Sequence, residues 1–341
     1  MKNMKLLEKL CTAHGISGDE TQVREIILEE IKDYADNIKI DSLGNIIAFK
    51  KGAARPKRKL MLSAHMDEVG FIVTDIMSNG SLKFACVGGI NDSAVFAKQV
   101  FVGKDRLPGV VSCKPVHLLK ADEKGKCPGT DALTIDIGAE TREQALKYVS
   151  PGDSVVFDSI YENKEGRIIS KAIDDRFGCF VLIELLRSEL SYDMYFAFCV
   201  QEEVGLRGSA AAAYNIAPDS AIVIEATTAA DVPGSENEMK VCSLGKGAVV
   251  SFMDRATIYD REYYNLAMET AKQNDIPAQT KTMIAGGNDA GAIHKAVGGV
   301  RTIAVSVPCR YLHANASMIS TGDADAVAEL TALLAERICE L

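Results

Sequence analysis

The residues with chemistry to offer come in short polar groups, each set just after an apolar run. His65 and Asp67 follow the run 60–64, and Asp174 and Asp175 follow 168–173. Glu202 and Glu203 follow 194–200, Glu225 closes 221–224, and His313 comes a short turn after 302–307. Adjacent carboxylates such as Glu202 and Glu203 are costly to bury at a strand end unless Lys, Arg or a metal ion neutralises them. Ligands of open α/β sheets bind beyond the carboxyl ends of the strands, so all these groups are expected on one rim. Two imidazoles with several carboxylates suit zinc, cobalt or manganese better than calcium or magnesium, which prefer all-oxygen shells. The count suits two ions: one bridging carboxylate, then a histidine and a further carboxylate at each. One carboxylate is left over as a general base. Such a metal pair polarises a carbonyl and acidifies a water. Taken singly, each residue has a plainer use. A lone histidine after a strand is a structural hydrogen-bonder, and Asp174 is placed to cap a helix. The coincidence of all of them on one rim carries the metal reading. His14, His117 and His294 fall outside it.

The elements that must position these groups are legible from periodicity and turns. Residues 3–13 read as a helix. A second helix follows, capped by Ser17 or Asp19, with Val23, Ile26, Ile27 and Ile31 on one apolar face. Segments 38–40 and 46–48 form a hairpin, and 60–64 a buried strand. From 68 to 160 strands and turns dominate. Runs 71–76 and 82–87 are joined across Asn79-Gly80. Short strands at 98–102, 109–112 and 133–137 follow, and Thr141 to Gln144 is a capping box. Beyond 168, helices at 174–190, 206–214, 260–274, 288–296 and 323–339 alternate with strands at 194–200, 221–226, 247–253 and 302–307. The expected fold is α/β, a mixed sheet with helices on both faces, interrupted by a smaller β-rich domain. Residues 1–67 and 161–341 would form the first unit and 68–160 the second.

Composition excludes several roles. The 341 residues are 47% hydrophobic and 25% charged, which fits a packed globule. A net charge of −9 argues against binding nucleic acid by phosphate neutralisation. The basic run 50–59 reads as a solvated loop between strands. No apolar run is long enough to span a bilayer, and the first residues form no cleavable signal. Nine cysteines without a CxxC pair read as buried, reduced thiols, hence a cytosolic protein.

Four separated motifs then match a known family in order: Ala64 to Gly70 (AHMDEVG), Lys171 to Arg176 (KAIDDR), Gln201 to Gly208 (QEEVGLRG) and Pro308 to His313 (PCRYLH). With the linking segments 229–234, 244–247 and 288–292, the chain resembles the glutamyl/lysyl aminopeptidases over nearly its whole length. These are tetrahedral, dodecamer-forming metallo-aminopeptidases, some once labelled endoglucanases. The resemblance implies two divalent ions per subunit (zinc, cobalt or manganese), bridged by Asp174. His65 and Glu225 would complete one site, Glu203 and His313 the other. Glu202 would be the general base, and Asp67 would orient His65. It further implies short peptides with a free N-terminus as substrates, and dimers built through the β-rich domain that assemble into dodecamers. Three departures stand out. The family usually has Asp at 225, Thr at 288, and Ser/Thr-Pro after the final histidine, where this chain has Ala314-Asn315. Alternatives are a metal-dependent deacylase acting on another amide, and a non-catalytic assembly protein that keeps the fold. A glycosidase needs two flanking carboxyls and no histidines or metal.

Overall fold

A computed structural model describes residues 3–122, 124–236 and 239–341. The chain opens with α1 (Met4–Thr12) and α2 (Thr21–Ile31), then β1 (Asn37–Ile40), β2 (Ile46–Lys50) and β3 (Leu60–His65). Next come β4 (Gly70–Ile76), β5 (Leu82–Val87), β6 (Gln99–Val102), β7 (Leu107–Ser112), β8 (Thr134–Asp136), α3 (Arg142–Ala145) and β9 (Ser154–Phe157). The remainder runs β10 (Glu162–Lys164), β11 (Arg167–Ser170), α4 (Ile173–Arg187), β12 (Met194–Cys199), α5 (Arg207–Ile216), β13 (Ser220–Thr228) and β14 (Ala248–Val250). It closes with α6 (Arg261–Gln273), β15 (Ala278–Thr280), α7 (Ala290–Ile293), β16 (Arg301–Cys309), β17 (Ser317–Ser320) and α8 (Thr321–Glu340).

Eight strands form one mixed sheet, ordered β1-β2-β12-β3-β13-β16-β14-β15, with helices on both faces. The central strands β12, β3, β13 and β16 run parallel. Both faces of such strands are covered, which is why their sequences are unbroken apolar runs. The pairing register decides which side chains meet. Cys199 lies opposite His65, and Val223 opposite Ser63. Two residues beyond that last pair come His65 on β3 and Glu225 on β13, level on adjacent strands.

Strands β4 to β9 close into a six-stranded barrel, ordered β4-β5-β8-β7-β6-β9. Its interior holds Phe71 between Phe84 and Phe157, each pair edge to face with centroids 5.1 Å apart. That geometry matches the aromatic quadrupole. The Asn79-Gly80 hairpin is present, with Gly80 at φ +84. The Thr141 hydroxyl caps α3 by accepting from Gln144 N.

Several local expectations need correction. Residue Glu20, not Ser17 or Asp19, stands at the N-cap of α2. Strands β9, β10, β15 and β17 carry no expected signal, because at three or four residues each they are too short to show a periodicity. Residues 168–173 are not a strand of the main sheet. β11 stops at Ser170 and belongs to a separate antiparallel sheet, β10-β11-β17. Strand β13 continues to Thr228, so Glu225 lies within it rather than closing it.

Candidate active site and metal centre

The site forms where the carboxyl ends of β3, β12, β13 and β16 converge with the start of α4. His65 is the last residue of β3. Its Nδ1 lies 3.0 Å from the Asp67 carbonyl oxygen. A carbonyl can only accept, so Nδ1 carries a proton and Nε2 is the ring nitrogen that faces the cavity. His313, at φ +58 beyond β16, is held the same way: its Nδ1 lies 2.8 Å from Gly89 O, a carbonyl of the barrel. That contact supplies the support that Ala314-Asn315 does not announce.

Asp174 stands between the two imidazoles. Its Oδ1 lies 3.4 Å from His65 Nε2 and its Oδ2 3.5 Å from His313 Nε2. It does not cap α4. Residues 174 and 175 have non-helical backbone angles, joined by a cis peptide bond, and the capping bond falls to Asp175, which accepts from Gly178 N. Asp174 is thereby left free to face the cavity. Glu225 Oε2 lies 3.8 Å from His65 Nε2, and Glu203 Oε2 lies 3.4 Å from His313 Nε2. Glu202 Oε2 stands 3.9 Å from His65 Nε2. The adjacent glutamates therefore face different histidines. They diverge in a turn after β12, beyond Gln201 at φ +56, rather than by strand alternation.

Asp67 is buried and does more than accompany His65. Its Oδ1 accepts from Glu202 N at 3.0 Å, and its Oδ2 from Glu203 N at 3.1 Å and Ser17 Oγ at 2.6 Å. Behind it, Glu68 is paired with Lys171 Nζ at 2.7 Å and with Arg176, whose buried guanidinium also donates to the carbonyls of Met66, Leu10 and Gly15. These groups lock the 65–68 segment against α1 and the start of α4. Their charges stand inside the motifs, but nothing in the sequence said that they would be buried together.

The electrostatics expose a surplus of acid. Burial pushes Glu202 well up, helped by the charges of Asp289 and Glu203. Burial and then Asp175 raise Glu225. Burial and Asp174 push Glu203 up to about 7. Burial alone would lower both histidines, but Asp174 and the neighbouring carboxylates outweigh it. His65 is held well above its ordinary value and His313 at about 9. Burial would raise Asp174; the two imidazoles hold it low instead. Two imidazolium charges cannot balance this many carboxylates, so the site needs protons or further cations.

A metal fits these residues. Ligands about 2.0–2.1 Å from a tetrahedral ion stand about 3.3 Å apart, close to the contacts above. Asp174 Oδ1 and Glu225 Oε1 are buried with no hydrogen-bond partner among the described residues. Three overlapping triads have ligand atoms within 4.8 Å of one another: His65-Asp174-Glu225, Asp174-Glu203-His313 and His65-Glu202-Glu203. All seven residues expected at the site are thus brought together. His14, His117 and His294 lie elsewhere, on the end of α1, in the barrel and after α7.

The chain has relatives in sequence and in fold. Residues 44–330 match the family model described as M42 glutamyl aminopeptidase. The chain belongs to that family. It is a hydrolase acting on peptide bonds. It is 32% identical to the lysyl aminopeptidase of Pyrococcus furiosus over 349 residues, covering 99% of this chain and 98% of that one. Among solved structures, a TET aminopeptidase from a marine sediment Thaumarchaeota archaeon superposes with a TM-score of 0.95 at 34% identity, covering 100% and 97% of the two chains. The Pyrococcus horikoshii TET1 peptidase, whose structure is described as assembling into a tetrahedron or a large octahedral shell, gives 0.86 at 34%, covering 97% and 98%. No helix among the described residues of this M42 peptidase is long and apolar enough to cross a membrane.

Proposed function

We propose that this M42 peptidase is a two-metal aminopeptidase that removes N-terminal residues from short peptides. The observation that carries the reading is Asp174, which turns one carboxylate oxygen toward each of two histidines. Each histidine has its own further carboxylate, Glu225 for His65 and Glu203 for His313. His65, Asp174 and Glu225 would hold one divalent ion, and Asp174, Glu203 and His313 the other. Zinc, cobalt and manganese all suit this mixed nitrogen and oxygen set. When bound, such a pair polarises a peptide carbonyl and lowers the pKa of a water.

The chain's own residues do the rest. Glu202 is the carboxylate left without a ligand role. Its Oε2 takes a proton from the attacking water and returns it to the departing amine nitrogen. Asp67 fixes the backbone of both glutamates, and its carbonyl sets the tautomer of His65. The Gly89 carbonyl does this for His313. We also read residues 1–67 with 161–341 as the catalytic unit and 68–160 as a dimerisation domain within a closed homo-oligomer, a dodecamer. Exposed apolar side chains on the barrel side, Val116, Leu146 and Tyr148, support that reading.

The test uses metal-stripped protein, zinc, cobalt or manganese added back, and a panel of aminoacyl-anilides beside their N-acetylated forms. Turnover that needs both metal and a free amine is expected. Turnover of the acetylated substrates would instead favour a deacylase or endopeptidase.

A further inference from the structure

The turn that delivers His313 is strained. Tyr311 and His313 both adopt positive φ, +62 and +58, in the left-handed region that residues with a Cβ rarely visit. Such a conformation lasts only where its surroundings over-determine it. No proline stiffens the chain beyond His313, where Ala314, Asn315 and Ala316 follow. The Gly89 carbonyl holds the imidazole ring, not the backbone that carries it. On the near side the backbone of Arg310 exchanges two hydrogen bonds with Met318, at 2.9 and 3.0 Å.

The side chain of Arg310 then reaches Asp231, three residues past β13. Its Nε donates to Oδ1 at 2.7 Å and its Nη2 to Oδ2 at 2.9 Å. A two-point fork of this kind fixes direction as well as distance. Asp231 is itself pinned, since its Oδ2 also accepts from Leu244 N at 3.0 Å. Leu244 belongs to the segment 240–247, which helps to wall a cavity of about 450 Å³ opening on the metal cluster. Val241 from that segment and Leu312 from the strained turn both line it. The segment has further anchors. Asp323 accepts from Gly245 N and Gly247 N, and Thr282, next to the lining residue Lys281, donates its N–H to Val241 O at 3.0 Å. Asp231 is therefore a fixed point against which Arg310 can be set.

We propose that Arg310 is a positioning residue for His313: by locking onto Asp231 it fixes the strained turn 311–313 against the cavity wall, and so sets the metal site made by Asp174, Glu203 and His313. The inference rests on the two-metal reading, which makes His313 a ligand. Arg310 is not a ligand and acts only through the backbone it holds. A lysine at 310 keeps the charge but loses the fork.

Zinc titration of the metal-stripped protein tests this, with His313→Ala marking the binding step that belongs to the His313 site. In Asp231→Asn and in Arg310→Met that step should weaken about 10–100-fold, while the other step stays at its wild-type position. The double variant should be no weaker than either single one, because the same contact is removed in each. Lost hydrolysis should return at high zinc, which general damage to the structure would not allow. An unmoved His313 step in both single variants overturns the proposal and leaves the two-metal reading intact. So does an equal weakening of both steps, or a double variant much weaker than either single one. If Arg310→Met fails to fold, the near-isosteric Asp231→Asn decides. If the stripped protein takes up no zinc, cobalt or manganese, the two-metal reading fails and amide hydrogen exchange decides on the turn itself. Faster exchange at the Arg310 and Met318 amides in Asp231→Asn supports the anchor, and unchanged exchange overturns it.

Discussion

Two neighbouring carboxylates of the cluster are turned to different partners. Glu202 and Glu203 are adjacent in sequence, yet one faces His65 and the other pairs with His313. Glu202→Gln keeps the shape and removes the basic oxygen. Hydrolysis should fall by about 10²–10⁴, while metal content, read by elemental analysis, stays at the wild-type level. Loss of metal together with activity would make Glu202 a ligand, as the His65-Glu202-Glu203 triad permits. Asp67 gives a different outcome. Its two oxygens accept three donors, and an asparagine there must turn its NH₂ toward one of them. Asp67→Asn should cost about 1–3 kcal/mol, measured as a lowered urea midpoint, and should also slow turnover. Unchanged stability would mean that the clamp on residues 202 and 203 does not matter.

At the scale of elements, the turn that carries Glu202 and Glu203 is held by a close approach between the end of β12 and the start of α5. The N–H of Gly208 donates to Val200 O at 3.0 Å. Buried Asn45, at the edge of the β1–β2 hairpin, accepts from Val200 N and donates to Gly208 O, both at 2.9 Å. A Cβ at position 208 would stand 2.2 Å from Val200 O and 2.4 Å from Asn45 Oδ1. Neither is the loose end of a flexible chain. Gly208→Ala should therefore push α5 off the strand end and carry Glu202 and Glu203 with it. A loss of roughly 1–3 kcal/mol and a fall in kcat are expected together. A variant with wild-type melting and full activity would show that the turn is positioned by other contacts.

At the scale of the whole molecule, His14 ties the end of α1 to the barrel. Its ring stacks on Phe101 with centroids 5.8 Å apart, and its Nε2 accepts from Arg106 Nε at 2.9 Å. Burial first, and the Arg106 charge second, push this imidazole down to about 3. The unfolded chain binds a proton at His14 near pH 6.5, and the folded chain does so only near 3. The unfolded state therefore holds more protons throughout that window. Stability is fully present above pH 6.5 and declines as pH falls toward 3. Urea midpoints taken from pH 8 down to 4 should fall less steeply for His14→Asn than for the wild type, and parallel curves would remove His14 from the account. The sequence alone determined the buried centre of the sheet, because strands covered on both faces must be apolar throughout. It also determined the polar residues left at those strands' ends, and so the list of candidate ligands. The Asn79-Gly80 hairpin was legible because the turn chemistry is local. What only the tertiary structure decided was delivery. Asp174 arrives from the first turn of α4 and not from a sheet strand. His313 is steered by a carbonyl 224 residues away, and Lys281 meets the cavity through a three-residue strand with no apolar pattern. Backbone carbonyls look alike at every position, and a strand of three residues is too short to leave a periodicity, so neither can be read before the chain has folded.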